Sequence, residues 1–288
     1  MNDVSRWLKA CLLLSTLATA VCANARASSA DELVKFDSAP YILGQLQQRR
    51  AIERGEMAMP TTNAIEGYLS KPDGEGPFPA VVYLHGCGGL GKAAHTRFSD
   101  LLTGWGYVSL AVDSFATRGI EEACNRPMPD RQADAWGALL YLSKLPFVDR
   151  ERIAVVGSSQ GGFVALILAS THDARLFDIP DQLSFKAAVA FYPLCSVASE
   201  QLAMPTIIMI GELDDWSPAK SCERWMERRH GLGAPVKLVV YPGAYHDFDV
   251  PGAGDGMRRF GHWLKYDSEA ARKSATEMHD FLAAQLSK

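Results

Sequence analysis

Three side chains in this 288-residue sequence have the types and the order that catalysis by a serine nucleophile requires. They are Ser159, then Asp214, then His246 along the chain. A serine hydroxyl is a poor nucleophile until a neighbouring histidine takes its proton. An aspartate can fix the tautomer of that histidine and stabilise the imidazolium that forms. The set therefore indicates hydrolysis of a carboxylic ester or lactone through an acyl-serine intermediate.

The residues around Ser159 predict a sharp turn between a strand and a helix. An apolar, β-branched run ends at Gly157, and a run rich in Ala, Leu and Ile follows Gly161. Glycine at both positions lets the backbone close tightly, so the segment has the form of a nucleophile elbow with the serine at its apex. A chain with 24 glycines can contain such a pentapeptide by chance. The hypothesis therefore also depends on the downstream acid and histidine.

The candidate acid and base each follow a predicted strand. Asp214 comes after the strand at 206–210, and His246 comes after the strand at 236–241. The carboxyl ends of parallel strands meet at one edge of a sheet, where such folds place their catalytic groups. The order serine, acid, histidine is that of the α/β hydrolases. An alternative assigns the acid to Asp215 and leaves Asp214 as a helix cap.

A glycine-rich stretch at 84–90 follows an upstream strand and predicts an oxyanion hole. We assign one donor to the backbone N–H of Cys87 and the other to that of Gln160, the residue after the nucleophile. Loss of one such donor typically costs about 3 to 4 kcal/mol of transition-state stabilisation.

The same stretch supports one alternative function. The pattern Gly86-x-Gly88-x-x-Gly91 after a strand, with Asp113 at the end of the next strand, matches the fingerprint of an NAD-binding oxidoreductase. That hypothesis leaves the elbow serine, the acid and the histidine unexplained. The stretch is not a Walker A loop, because Ala93 stands where a serine or threonine would hold magnesium.

Beyond residue 60 the sequence alternates predicted strands and helices. Near-continuous Val, Ile and Leu runs indicate strands that are buried on both faces. The pattern predicts an α/β protein of the α/β-hydrolase fold, with a mostly parallel, doubly wound sheet and helices on both faces. The predicted strands are 64–69, 80–84, 107–112, 152–156, 187–191, 206–210 and 236–241, and the predicted helices are 98–105, 130–145, 218–230 and 268–286, with one more after the elbow.

The N-terminal residues predict export. Arg6 and Lys9 precede a short apolar stretch and then small residues that suit cleavage, so 1–25 is interpreted as a cleaved secretory signal peptide. A lipoprotein signal at Cys22 ranks second, since a valine precedes that cysteine, and the short apolar core disfavours an uncleaved anchor. We therefore expect a periplasmic or secreted protein.

The remaining chain is interpreted as an N-terminal extension at 26–59, packed on one hydrolase domain at 60–288. The net charge of −4, without a basic stripe, disfavours nucleic acid as a partner. The expected partner is a small-molecule ester or lactone, with no stable membrane insertion after processing. No HExxH or CxxC motif is present, so neither a metal nor a cofactor is expected. The sequence does not indicate the oligomeric state.

Four cysteines remain after the predicted processing, and an even number in an exported protein favours disulfides. Consecutive strands are usually neighbours in a sheet. Cys87 and Cys124 follow one such pair of strands, and Cys195 and Cys222 follow another. The predicted bridges are therefore Cys87–Cys124 and Cys195–Cys222. The alternative is four buried thiols.

Six motifs begin at Leu84, Val112, Gly157, Phe191, Gly211 and Tyr241. Taken together, they resemble the dienelactone hydrolase family of α/β hydrolases over about residues 60–286. The resemblance implies that Ser159 is the acyl nucleophile, Asp214 the acid and His246 the base. The founding enzymes of that family use cysteine as nucleophile, whereas this chain has serine, so a serine esterase is the function implied.

Arg118 follows the predicted strand at 107–112 and is a candidate ligand for a substrate carboxylate, which a guanidinium can bind through two hydrogen bonds. The alternative is a structural ion pair with Asp113 or a nearby acid.

Overall fold

The computed structural model describes residues 31–55, 61–170 and 173–287, so the predicted signal peptide lies outside the described residues. An eight-stranded sheet has the order β1-β2-β4-β3-β5-β6-β7-β8. Strands β3 to β8 run parallel, whereas β1 and β2 are antiparallel to their neighbours. The strands are β1 (Glu32–Asp37), β2 (Ala64–Ser70), β3 (Phe78–Leu84), β4 (Val108–Asp113), β5 (Val148–Ser158), β6 (Ala188–Phe191), β7 (Thr206–Gly211) and β8 (Val236–Tyr241).

Helices connect the strands and pack on both faces of the sheet, as the sequence predicts. They are α1 (Gln45–Glu53), α2 (Lys92–Gly104), α3 (Arg131–Leu142), α4 (Gln160–Leu168), α5 (Ala219–Arg229) and α6 (Ser268–Gln285). None of the helices among the described residues is both long enough and apolar enough to cross a bilayer.

The inner strands form the core because both of their faces are covered. Every residue of β6 and β7 is buried, as are the last five residues of β3. The parallel register brings the carboxyl ends of β3, β5, β7 and β8 to one edge of the sheet. This edge holds the elbow after β5, the acid loop after β7 and the histidine loop after β8.

Part of the predicted N-terminal extension is an edge strand of the sheet. Residues Glu32–Asp37 pair with β2, so this part of the predicted extension is a strand of the sheet itself. Val34 and Phe36 are buried while Leu33 is half exposed. In an edge strand with one covered face, apolar residues alternate with exposed ones. Six residues contain too few repeats of this pattern for the strand to be predicted from sequence.

A two-stranded hairpin follows the histidine loop where the sequence predicts only loop. It consists of β9 (Met257–Arg259) and β10 (His262–Leu264), paired antiparallel. A β-bridge joins His246 to Leu264, and the Lys265 amide donates to the His246 carbonyl at 3.2 Å. The hairpin therefore holds the histidine loop in place.

Candidate active site

The elbow has the strained geometry that its sequence predicts. Ser159 lies between β5 and α4 with φ 53° and ψ −116°, a conformation that L residues rarely adopt. A Cβ on Gly157 would lie 2.1 Å from the Gly161 carbonyl oxygen, and one on Gly161 would lie 2.1 Å from the Leu84 carbonyl oxygen. Glycine is therefore required at both ends of the turn.

Three side chains from different loops meet at this elbow. His246 Nε2 lies 3.0 Å from Ser159 Oγ, and His246 Nδ1 lies 2.7 Å from Asp214 Oδ2. The other carboxylate oxygen, Asp214 Oδ1, accepts the amides of Trp216 at 2.9 Å and Ser217 at 2.7 Å. Because a carboxylate can only accept, Nδ1 carries the proton, and Nε2 is left free to accept the serine proton.

The electrostatics of His246 suit a general base. Burial alone would lower its pKa, but the charge and hydrogen bond of Asp214, together with the charges of Asp247 and Asp249, raise the pKa above its ordinary value. The rings of Tyr192 and Trp216 lie with centroids 4.5 and 5.1 Å from the imidazole. Aromatic contacts on the ring fix its orientation, so the proton-accepting nitrogen faces the serine.

Asp215 does not contact the histidine. Its carboxylate accepts the Trp263 amide at 3.0 Å, and its backbone carbonyl lies 3.1 Å from His262 Nδ1. Asp215 therefore attaches the hairpin to the loop after β7, and the carboxylate at His246 belongs to Asp214.

The loop after β3 passes over the elbow and is shaped by a buried histidine. The Ser114 N–H donates to His85 Nε2 at 3.3 Å, so Nδ1 bears the proton and donates to the Gly86 carbonyl at 2.6 Å. Burial and the charge of Arg131 hold the pKa of His85 well below its usual range, so the ring is neutral. In a trans peptide C=O and N–H point in opposite directions. The Cys87 N–H therefore points away from His85.

Two backbone amides beside the serine are unoccupied donors. Among the described residues, neither the amide of Cys87 nor that of Gln160 has a hydrogen-bond acceptor. Gln160 is the first residue of α4, where amides lack intrahelical partners and the helix dipole favours negative charge. Gly86 brings the loop close, since a Cβ there would lie 3.5 Å from the Ser159 Cβ.

The structure contains both disulfides with the predicted pairing. Cys87–Cys124 has a Cα separation of 4.8 Å, and Cys195–Cys222 has one of 5.0 Å. The first bridge forms part of the wall beside Ser159, because both of its cysteines line the cavities there. It therefore links the loop after β3 to the segment around residue 124.

Two cavities open beside Ser159. The larger, of about 280 Å³, has no charged side chain in its lining, and its apolar walls are Met128, Phe163, Leu194, Trp216 and the Cys87–Cys124 bridge. The smaller, of about 50 Å³, is lined by His246, Leu264 and two charged side chains, Asp247 and Arg259. The site therefore offers one uncharged compartment and one small charged compartment.

Sequence reasoning did not find Trp216, Asp247 or Arg259 as lining residues. Trp216 and Asp247 lie one or two residues from the acid and the histidine, so proximity along the chain was a usable signal. Arg259 lies on β9, and a strand of three residues leaves no periodicity to detect.

Arg118 is engaged in a structural ion pair. It forms two parallel hydrogen bonds of 2.8 Å to the carboxylate of Asp134 and a third of 2.6 Å to the Ser114 carbonyl. Asp134 is fully buried on α3, while the Arg118 side chain is 16% exposed. The candidate role as a carboxylate ligand is thus not supported, because the edge of the guanidinium formed by Nη1 and Nη2 already holds the carboxylate of Asp134.

Arg118→Ala is therefore expected to act on stability rather than on substrate charge. It leaves a buried carboxylate unpaired, and we expect the free energy of unfolding to fall by about 3 kcal/mol. Urea unfolding measures this, with Arg228→Ala as control, because Arg228 and Glu200 form an exposed pair whose loss should cost less than about 1 kcal/mol. A selective loss of activity on acidic esters would contradict this assignment.

The loop at 86–91 is not free to hold a dinucleotide in the usual manner. Gly88 packs against the guanidinium of Arg259, since a Cβ on Gly88 would lie 3.1 Å from Arg259 Nη2. Asp113 accepts the amides of Phe115 and Ala116, both at 2.9 Å, so its carboxylate is used within a turn. Within the described ranges, no three His, Cys, Asp or Glu side chains form a metal-binding group.

A mostly parallel sheet with a strained serine turn, an acid and a histidine at its carboxyl edge defines an α/β hydrolase. The sequence model of the dienelactone hydrolase family matches residues 65–286. The chain therefore belongs to the dienelactone hydrolase family, and it is a carboxylic ester hydrolase. The family assignment favours the hydrolase over the NAD-binding alternative.

Two curated relatives cover most of their own length in the match, and one of them is named a lactonase. A probable 2-oxo-3-(5-oxofuran-2-ylidene)propanoate lactonase of Bradyrhizobium is 26% identical, over 63% of this chain and 77% of the relative. A putative carboxymethylenebutenolidase of Methylorubrum extorquens is 24% identical, over 73% of this chain and 80% of the relative.

Solved structures share the fold. A dienelactone hydrolase-like promiscuous phosphotriesterase from metagenomic libraries has a TM-score of 0.60 and 21% identity, covering 89% of this chain and 99% of that one. A propionate-bound esterase of Thermogutta terrifontis has a TM-score of 0.60 and 20% identity, covering 78% of this chain and 90% of that one. At these identities the likeness establishes the fold alone.

Proposed function

We propose that this protein hydrolyses carboxylic esters or lactones with Ser159 as nucleophile, His246 as general base and Asp214 as the group that orients the histidine. One observation carries the proposal: a continuous set of contacts, 3.0 Å from Ser159 Oγ to His246 Nε2 and 2.7 Å from His246 Nδ1 to Asp214 Oδ2. Nucleophile, base and orienting acid within hydrogen-bond reach is the arrangement that acyl transfer requires.

The reaction follows from these positions. Ser159 Oγ attacks the acyl carbon while its proton passes to His246 Nε2, and Asp214 stabilises the imidazolium that results. The amides of Cys87 and Gln160 donate to the oxygen that becomes negative in the tetrahedral intermediate. His246 then gives the proton to the leaving alcohol oxygen, and the acyl-serine remains.

Water completes the cycle by the same route in reverse. His246 Nε2 removes a proton from water, the hydroxide attacks the acyl-serine, and Ser159 regains its proton as the acid departs. The cavity of about 50 Å³ beside His246 is large enough for a water molecule. For a lactone, the leaving oxygen stays attached to the acyl group, so the product is one hydroxy acid.

Labelling with a fluorophosphonate tests this proposal directly. An activated serine attacks the phosphorus, so we expect stoichiometric modification of Ser159, located by peptide mass spectrometry. Parallel titration with NADH, followed by its fluorescence, addresses the NAD-binding alternative. Nucleotide binding without labelling would overturn the hydrolase mechanism.

We also propose that the larger cavity takes an uncharged group of the substrate. Its walls offer no cation, so a carboxylate placed there loses hydration without gaining a partner. The lactonase name of one relative supports lactones as one substrate class. The serine nucleophile and this cavity favour uncharged esters and lactones over the acidic dienelactone.

The expected result is a preference for p-nitrophenyl butyrate over mono-p-nitrophenyl succinate, which has a similar length but carries a carboxylate. Leu194→Arg places a cation at the rim of the cavity. It should reduce the ratio of kcat/KM for the butyrate to kcat/KM for the succinate by about fivefold, which corresponds to about 1 kcal/mol from an exposed ion pair. Val197→Arg is the matched control, because Val197 is 67% exposed on the same loop and does not line the cavity. Equal changes in both variants would contradict the assignment.

We further propose that the protein is exported after loss of residues 1–25, and that the remaining chain acts as one hydrolase domain. Two disulfides support an oxidising compartment, since cytosolic thiols are normally kept reduced. Determining the N-terminus of the mature protein by mass spectrometry tests the cleavage.

A further inference from the structure

Arg131, the first residue of α3, is a fully buried arginine whose charge is not used in an ion pair among the described residues. The nearest acid on the same helix, Asp134, is paired with Arg118 instead. Burial lowers the pKa of Arg131 to about 10, so the guanidinium remains protonated at neutral pH. The charges of Asp134 and Asp113 stabilise this cation only through space, without a direct ion pair, and a buried cation that no carboxylate contacts is costly. Its contacts therefore need a functional explanation.

The guanidinium contacts both segments that carry the proposed oxyanion donors. Nη2 donates to the His85 carbonyl at 2.7 Å, on the loop that leads to Cys87. Nη1 donates to Gln160 Oε1 at 2.9 Å, on the residue that supplies the other amide. The face of the Phe115 ring lies 5.5 Å from the guanidinium carbon and fixes its plane.

The same contacts continue through a third segment and return to the first. Gln160 Nε2 donates to the Ala123 carbonyl at 3.2 Å, and the Ala123 amide donates to the Cys87 carbonyl at 2.8 Å. The Cys87–Cys124 bridge joins these two segments covalently. Arg131 is thus the one charged member of a closed set of contacts around both donors.

We propose that Arg131 is a positioning residue of the oxyanion hole, whose two hydrogen bonds set the spacing between the amides of Cys87 and Gln160. This inference rests on the proposed function. A planar guanidinium can hold two acceptors at a fixed separation, which neither a lysine nor an apolar side chain can do. The spacing of the two amides matters mainly for stabilisation of the transition state, because the amides bind the substrate oxygen most strongly once it carries negative charge.

The test compares Arg131→Met with Arg229→Met. Arg229 is buried like Arg131, and the Nε of each lacks a hydrogen-bond partner. Arg229 donates to two backbone carbonyls, those of Leu232 and Ala234, and it lies at the C-terminal end of α5, just before β8 begins at the opposite edge of the sheet. Both variants lose a buried guanidinium, so a general loss of packing affects both. Only Arg131 contacts the oxyanion segments.

Two readouts separate positioning from a structural role. The first is the split between kcat and KM for p-nitrophenyl butyrate. The second is the inhibition constant of a trifluoromethyl ketone, whose adduct with the serine carries an oxyanion. For Arg131→Met we expect kcat to fall about 10- to 100-fold, KM to stay within about twofold, and the inhibition constant to rise by the same factor as kcat falls.

Arg229→Met should leave kcat and the inhibition constant within about twofold of wild type. In the double variant Arg131→Met/Gln160→Met, the fold reduction in kcat should be smaller than the product of the reductions in the two single variants, because the two side chains act through one contact. If Arg131→Met does not fold, Gln160→Met alone decides: a fall in kcat with a raised inhibition constant supports the proposal, and unchanged values overturn it.

The proposal is overturned if folded Arg131→Met matches Arg229→Met in both readouts. It is also overturned if Arg131→Met raises KM but leaves kcat unchanged. Fluorophosphonate labelling of Ser159 in the wild-type chain keeps this outcome separate from the proposed function. If the wild-type chain is labelled and Arg131→Met keeps its kcat and inhibition constant, only the positioning role of Arg131 is refuted. If the wild-type chain is not labelled, the proposed mechanism with Ser159 as nucleophile is itself refuted.

Discussion

Ser159→Ala is expected to reduce kcat on a short p-nitrophenyl ester by about 10⁴- to 10⁶-fold, the effect of removing a nucleophile from a triad. Without Oγ no acyl-enzyme can form, although the proposed oxyanion donors and the cavity remain. Because the substitution removes a single atom at a half-buried position, we expect the fold to persist, as measured by circular dichroism and thermal unfolding. Initial rates with purified enzyme give the activity.

Ser158→Ala is the matched control for this substitution. Ser158 is the preceding residue, it is buried, and its hydroxyl lies 3.5 Å from the Tyr83 hydroxyl rather than at the histidine. Its loss removes the same atom from the same turn, so we expect kcat to stay within about tenfold of wild type. Wild-type activity in Ser159→Ala, or equal losses in both variants, would refute the nucleophile assignment.

Asp214→Asn is expected to lower kcat by about 10⁴-fold, because an amide can stabilise the wrong tautomer of His246 and carries no charge to stabilise the imidazolium. The comparison is with Asp215→Asn, whose side chain contacts the hairpin amide of Trp263 and not the imidazole. We expect that control to retain most of its turnover. A larger loss in Asp215→Asn would transfer the acid role to that residue.

The same variant has a predictable pH dependence. In the proposed mechanism His246 must be neutral to accept the serine proton, so kcat/KM should fall as pH drops through the pKa of His246. Of the three carboxylates that raise this pKa against the effect of burial, Asp214 has the largest effect. Removing its charge therefore lowers the pKa, and the acid limb of the pH profile should move to lower pH in Asp214→Asn. A limb that moves to higher pH would contradict this electrostatic role.

The inner elements of the fold were predictable because their signals are local. The strand predicted at 236–241 is β8 (Val236–Tyr241), and the helix predicted at 268–286 is α6 (Ser268–Gln285). Continuous apolar runs of strand length report burial on both faces. Asp267 accepts the amides of Glu269 and Ala270, so the start of α6 is marked by its own N-cap.

The peripheral elements gave weaker signals. The helix predicted at 98–105 begins earlier, at Lys92, because its N-cap is Gly91 and no side chain marks the start. The edge strand β1 and the hairpin β9–β10 are short and stabilised by their neighbours rather than by their own pattern. The hairpin matters most for the site, since it brings Arg259 and Leu264 to the smaller cavity.

The sequence by itself determined the elbow, the order of serine, acid and histidine, and the edge of the sheet at which they meet. The elbow is local: its glycines are required by backbone atoms within the turn and the adjacent strand, so composition and spacing suffice to identify it. Strand order and chain order then place the two following loops beside it.

Only the tertiary structure decided which atoms meet. It placed Asp214 rather than Asp215 at the imidazole, because hydrogen bonds from the hairpin hold Asp215 elsewhere. It paired Arg118 with Asp134 on α3 rather than with the adjacent acid, and it aimed Arg131 at the two oxyanion segments. The direction of a side chain depends on elements that are distant in sequence, and one sequence does not contain that information in any local pattern.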